Sequence, residues 1–108
     1  MKFAIIAAGE GSRLAEEGIT APKPLIPLDG VPMIERLVRI FAANDAEEIV
    51  IIVNRLRPET EKFVRHLSQT HPEWNIRLEV ATTPSSMHSF ARIASLLAGA
   101  PFCLTTVD

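Results

Sequence analysis

Apolar residues along this chain follow two alternating patterns, and their succession defines a fold class. Residues 2–7 and 49–53 are almost continuously apolar, which predicts strands buried on both faces. The second of these is β-branched throughout, as a strand favours. Residues 76–81 show some alternation and predict a third strand nearer a sheet edge; residues 102–107 predict a fourth. Between them the spacing becomes helical. Pro32 stands where a first helical residue belongs, Met33, Ile34, Leu37, Val38 and Phe41 share one face, and Glu35 and Arg39 pair on the other. Pro58 opens a second helix with Phe63, Val64 and Leu67 inward, ended by His71-Pro72. Ser86 is placed to cap a third, with Phe90, Ile93, Ala94 and Leu97 inward. Residues 8–32 read as a long Gly/Pro-rich loop in which Pro27-Leu28-Asp29-Gly30 forms a turn.

The order β-α-β-α-β-α-β predicts an α/β fold with a parallel, doubly wound sheet. With strand order 3-2-1-4 the chain reverses direction between its first and fourth strands. Ligands of such sheets bind beyond the carboxyl ends of the strands at that switch point. The elements placed there are the loop after Ala7 and the terminal Asp108. No repeat, low-complexity segment or linker interrupts the 108 residues, so one domain at most is expected.

Composition narrows the partners. The chain is 47% hydrophobic and 22% charged, with a net charge of −2 and no Lys/Arg block, which argues against a nucleic-acid footprint. A small anionic ligand, held by one or two placed cations, remains open. The single cysteine, Cys103, excludes an internal disulfide and a cysteine zinc cluster; within Pro101-Phe102-Cys103-Leu104 it reads as a buried small hydrophobe. The apolar run 3–8 is too short for a signal peptide, and no run approaches the roughly 20 residues of a membrane helix. A cytoplasmic protein without membrane contact is expected.

The chemistry concentrates in Ala7-Ala8-Gly9-Glu10-Gly11-Ser12-Arg13-Leu14 and Pro22-Lys23-Pro24-Leu25. Gly9 and Gly11 lack side chains, so backbone N–H groups can approach a phosphate closely. Arg13 offers a fixed fork of donors for phosphate oxygens, and Lys23, between two prolines, a point charge. Such cations stabilise charge moving onto departing pyrophosphate. A lone G-x-G after a strand is a weak signal, and on these residues alone a flexible turn with Arg13 and Lys23 as solvated charges is the other reading. The G-x-x-x-x-G-K-[ST] phosphate loop is absent, and the dinucleotide fingerprint lacks its third glycine.

Taken together, the strand, Ala-Ala-Gly-x-Gly-x-Arg-Leu, Pro-Lys-Pro-Leu and Gly30-Val31-Pro32-Met33-Ile34 resemble the sugar-phosphate nucleotidyltransferase family. That family includes glucose-1-phosphate and mannose-1-phosphate nucleotidyltransferases and, more distantly, phosphocholine cytidylyltransferases. The close match covers residues 3–41. The resemblance implies a Rossmann-like, GT-A-type nucleotidyltransferase fold and transfer from an NTP to a sugar 1-phosphate or phosphocholine-like phosphate, with release of pyrophosphate. It implies that Ala8, Gly9 and Gly11 line the nucleotide, that Arg13 grips the β- and γ-phosphates, and that Lys23 steadies the reacting phosphates. Thr106-Val107-Asp108 stands where relatives supply a Mg²⁺ ligand, which makes Asp108 the metal-ligand candidate and Mg²⁺ the implied cofactor; a helix cap or solvated end is the other reading of Asp108.

Two departures qualify the resemblance. Relatives carry a Gly-rich base-reading loop after the third strand, whereas this chain has Thr83-Pro84-Ser85-Ser86-Met87; Ser85 and Ser86 are candidates to bind the base or to cap a helix. The family's domain is roughly twice as long, so residues 1–108 are expected to be its N-terminal nucleotide-binding part, truncated before the acceptor half. Two further readings stand beside the enzyme: a non-catalytic nucleotide-binding or association module, self-pairing through an open edge at the fourth strand, and a nicotinamide-dependent oxidoreductase. His66 and His71 read as surface residues, His88 lies near the base loop, and Trp74 reads as sheet-edge packing without a stacking platform.

Overall fold

The computed structural model describes residues 1–7, 25–55, 58–81, 91, 93–94 and 102–106. Its elements are β1 (Lys2–Ala7), β2 (Pro27–Leu28), β3 (Val31–Pro32), α1 (Met33–Ala43), β4 (Glu48–Asn54), α2 (Pro58–Thr70), a 3₁₀ turn (Pro72–Trp74), β5 (Ile76–Ala81) and β6 (Phe102–Thr106).

The continuous apolar runs form the middle of a four-stranded sheet ordered β5-β4-β1-β6, with every neighbouring pair parallel. Among the four long strands this is the expected order 3-2-1-4; only the chain numbering differs, because a small antiparallel hairpin, β2-β3, intervenes. That hairpin lies where only a turn within a loop was expected. Asp29 (φ 55°) and Gly30 (φ 81°) both take positive φ, as a type I′ connection requires, and two-residue arms are too short to show a strand pattern in the sequence. Pro32 is the residue before α1 rather than its first, and the Met33 N–H donates to the Ile26 carbonyl at 3.1 Å.

Side-chain alternation divides the core between two faces. Phe3, Ile5 and Ala7 of β1 and Ile49, Ile51 and Val53 of β4 meet Ile34, Val38 and Phe41 of α1 and Val64 of α2. Ala4, Ile6, Val50, Ile52 and Ala81 point the other way, and Ile93, in helical backbone and fully buried, packs on them. This placement follows from handedness. The β1-α1-β4 and β4-α2-β5 crossovers step in one direction and share a face, whereas the return from β5 to β6 reverses and puts its helix on the opposite face. Ile93 and Ala94 agree with the expected third helix; Phe90 and Leu97 lie outside the described residues.

Two expectations are corrected. Cys103 is exposed rather than buried. It sits on β6, which among the described residues has only β1 beside it, and its neighbours Phe102 (38%) and Leu104 (40%) on the opposite face are also exposed. An apolar run becomes core only where another layer covers it. Trp74 packs against the core cluster, in keeping with its expected packing role, but it also stacks: its ring lies 3.8 Å from that of His71 at 11°, and the Arg39 guanidinium stands 5.2 Å from its centroid. His66 is exposed as expected. No described helix is long and apolar enough to cross a membrane.

Candidate active site

The carboxyl ends of the strands form the candidate rim. In register, Ala7 lies opposite Val53, Ile6 opposite Thr106, and Asn54 opposite Ala81. β1 and β6 therefore finish side by side where the topology reverses, which is where a crevice opens in a doubly wound sheet. The sequence joins the glycine motif directly to Ala7. Its far end is anchored as well: Leu25, two residues after Lys23, packs on the cluster that contains Ala7. Ala7 and Leu25, the described residues that flank 8–24 in the sequence, thus meet in one core cluster.

Every residue singled out from the sequence for chemistry lies outside the described residues: Ala8, Gly9, Gly11, Arg13, Lys23, Ser85, Ser86 and Asp108, and His88 with them. The described framework holds the strand ends from which they continue. Ala8 follows Ala7, Ser85 comes four residues after Ala81, and Asp108 two after Thr106. Among the described residues, no three His, Cys, Asp or Glu side chains group to hold a metal.

The rim contains one residue the sequence reading passed over. Asn54 closes the apolar run of β4 and is buried to 1% exposure. A polar side chain there, between the ends of β1 and β5, requires satisfied hydrogen bonds to be tolerated. Its signal was a lone amide ending an otherwise aliphatic strand. Arg55 follows, its N–H donating to the Ala81 carbonyl at 3.2 Å and its side chain to the Val80 carbonyl at 3.5 Å, which ties the β4 and β5 ends together.

The perturbed carboxylates mark the opposite end. Glu47, before β4, is held below the ordinary carboxylate range by a 2.9 Å hydrogen bond from the Met1 ammonium and by its charge. Glu73, before β5, is lowered by its own backbone amide and by His71 at 3.2 Å. Both are exposed ties at the amino ends of strands, so neither belongs to the rim.

A parallel α/β sheet with its switch point between β1 and β6, and a glycine motif following β1 in the sequence, defines a doubly wound class of fold, in which ligands bind at the switch point. Residues 3–107 match the MobA-like NTP transferase domain, and the chain belongs to that family. It is similar to a mannose-1-phosphate guanyltransferase of Aspergillus fumigatus, at 32% identity over the whole chain and 30% of that protein. A 2-aminoethylphosphonate cytidylyltransferase of Lancefieldella rimae is 40% identical over 63% of the chain and 26% of its own length. A UTP–glucose-1-phosphate uridylyltransferase of Synechocystis is 35% identical over 60% of the chain and 17% of its own. The chain thus spans less than a third of each of these relatives.

Proposed function

We propose that residues 1–108 are the N-terminal, nucleotide-binding part of a nucleotidyltransferase that joins an NTP to a sugar 1-phosphate or similar small phosphate. The observation that carries this reading is the side-by-side ending of β1 and β6 at the switch point, with the Gly9-x-Gly11-x-Arg13 motif continuing from β1. The family membership and the names of the relatives agree with it.

In the reaction, an acceptor phosphate oxygen attacks the α-phosphorus in line, the α–β bridging bond breaks, and pyrophosphate leaves with the electron pair. The nucleophile is already anionic, so the protein supplies positioning and electrostatics rather than a strong base. Backbone amides near Ala8, Gly9 and Gly11 hold the phosphates, Arg13 and Lys23 take up charge on the leaving group, and Ser85 and Ser86 face the base. Asp108 and phosphate oxygens make the hard oxygen donor set that suits Mg²⁺, which when bound neutralises phosphate charge. The acceptor side belongs to the length that the relatives have beyond this chain.

Pyrophosphate release by the protein carrying both halves tests this reading. Arg13→Ala is expected to lower turnover by about two orders of magnitude while leaving the thermal midpoint nearly unchanged. Equal release by wild type and variant overturns it. A second reading is favoured by the exposure of Phe102, Cys103 and Leu104: the chain alone is an association module whose β6 edge pairs with another polypeptide. That reading requires no response to nucleotide, which titration of the 108-residue chain with an NTP reveals.

A further inference from the structure

The opposite edge of the sheet, β5, carries a self-complementary pattern. In its parallel ladder with β4, the Ile49 N–H donates to the Asn75 carbonyl at 3.1 Å and the Arg55 N–H to the Ala81 carbonyl at 3.2 Å. A parallel strand directs both backbone groups of alternate residues to one neighbour. Asn75, Arg77, Glu79 and Ala81 therefore bond towards β4, and Ile76, Leu78 and Val80 present their N–H and C=O groups outward, where no strand pairs among the described residues and the Val80 carbonyl meets the Arg55 side chain at a long 3.5 Å.

We propose that this edge pairs with a second copy of the chain, antiparallel about a two-fold axis at Leu78, to make one continuous sheet. The register follows from the sequence of the strand. Leu78 faces its symmetry mate and Ile76 faces Val80, all at hydrogen-bonded positions, so each outward backbone group gains a strand partner, the Val80 carbonyl exchanging its long contact with Arg55 for a backbone N–H. Arg77 then falls opposite Glu79, and Glu79 opposite Arg77, on the same sheet face. These are the non-hydrogen-bonded positions, where Cα atoms approach to about 4.5 Å and side chains are closest. Both ion pairs form at once, and only with a copy of the same strand in this register.

The surroundings suit this pairing. Arg77 reaches Glu48 at 3.4 Å and is half exposed (52%), so its guanidinium retains donors for a second carboxylate. On the other sheet face, Arg65, Ser68, Gln69, Ile76 and Leu78 line a groove of about 240 Å³ along the same edge. A second copy closes it over the half-buried Ile76 and Leu78. Charges on an edge strand usually discourage pairing; here their order makes the edge selective for itself.

Sedimentation velocity of the 108-residue chain tests the proposal. Wild type dimerises as concentration rises towards about 0.5 mM, a range that reveals even weak contacts, and added salt weakens the dimer. Arg77→Glu makes the edge wholly acidic and Glu79→Arg makes it wholly basic, so each variant alone dimerises at least about tenfold more weakly. Mixed in equal amounts, the two variants form a heterodimer. A monomeric wild type, a dimer indifferent to both reversals, or a mixture of folded variants that stays monomeric overturns it. Hydrogen exchange on wild type gives an answer independent of any variant's folding: the Ile76, Leu78 and Val80 amides slow with concentration, and exchange that ignores concentration counts against the pairing. The nucleotidyl-transfer reading is untouched by either result.

Discussion

Ile6 of β1 lies directly opposite Thr106 of β6 in parallel register, and both strands end within one residue of that pair. Two segments far apart in sequence thereby leave the sheet from one point. The first continues into the glycine motif and the second into Asp108. Because β1 is central and β6 is reached only by the reversed crossover, the geometry depends on the central strands keeping their register.

That dependence can be measured at Ile51, which is fully buried and lies between Ile5 and Leu78 across three strands. Ile51→Ala is expected to destabilise the fold by about 2–5 kcal/mol through lost burial and a residual cavity. Thr60 is expected to respond in the opposite sense. Its hydroxyl is buried and lacks a hydrogen-bond partner among the described residues, so the near-isosteric Thr60→Val removes an unsatisfied group and stabilises by up to about 1 kcal/mol. Urea unfolding of the two variants reads both signs.

At the β2-β3 hairpin the cost is conformational rather than steric. A Cβ on Gly30 meets nothing within 4 Å, yet φ is 81°. Gly30→Ala is therefore expected to cost about 1 kcal/mol from the left-handed backbone alone. If thermal melts show no loss, the hairpin does not hold that conformation in solution.

How far the sequence reveals the fold depends on how each element declares itself. Ile49 to Val53, apolar and β-branched throughout, reads as a strand covered on both sides, so β4 and its place inside the sheet were legible, and the order 3-2-1-4 taken from the alternation of elements is the one the sheet has. β2 and β3 were not, because two-residue arms have no periodicity. Cys103 was misread because an apolar run does not disclose whether a layer covers it; β6 has β1 on one side and no other strand beside it among the described residues. The His71–Trp74 stack depends on the 3₁₀ turn between the two rings, and the Arg39 contact reaches Trp74 from α1, so neither left a periodic signal in the sequence. The site was legible as a motif, Gly9 to Arg13 with Lys23, because phosphate binding uses backbone and fixed cations at short spacing. Asn54 was overlooked because one amide at a strand end has many structural uses.

Acid sensitivity follows from Glu47, whose carboxylate binds the Met1 ammonium while its N–H donates to the Met1 carbonyl at 3.0 Å. The ammonium lowers its pKa in the folded chain. For a depressed carboxylate, the stabilisation is fully present above the unfolded pKa and is lost as pH falls through the folded one. Wild type is thus expected to exceed Glu47→Gln in stability at neutral pH, with the difference closing on acidification below the ordinary carboxylate range. A gap that widens on acidification contradicts the assignment.

Metal dependence is the most direct test of the proposed site in this chain. Asp108 is one carboxylate two residues beyond Thr106, and Mg²⁺ needs few protein ligands when phosphates and waters complete its shell. NTP binding by the 108-residue chain is therefore expected to be weak, about −4 to −5 kcal/mol, and to strengthen with Mg²⁺. Asp108→Ala should abolish the Mg²⁺ enhancement while leaving the metal-free affinity unchanged, because amides near Gly9 and Gly11 and the cations Arg13 and Lys23 act on phosphate directly. Arg13→Ala should do the reverse, weakening binding with and without the metal. Calorimetric titration of the three proteins separates these roles. Tight binding indifferent to both Mg²⁺ and Asp108→Ala would show that this carboxylate has no part in holding the metal.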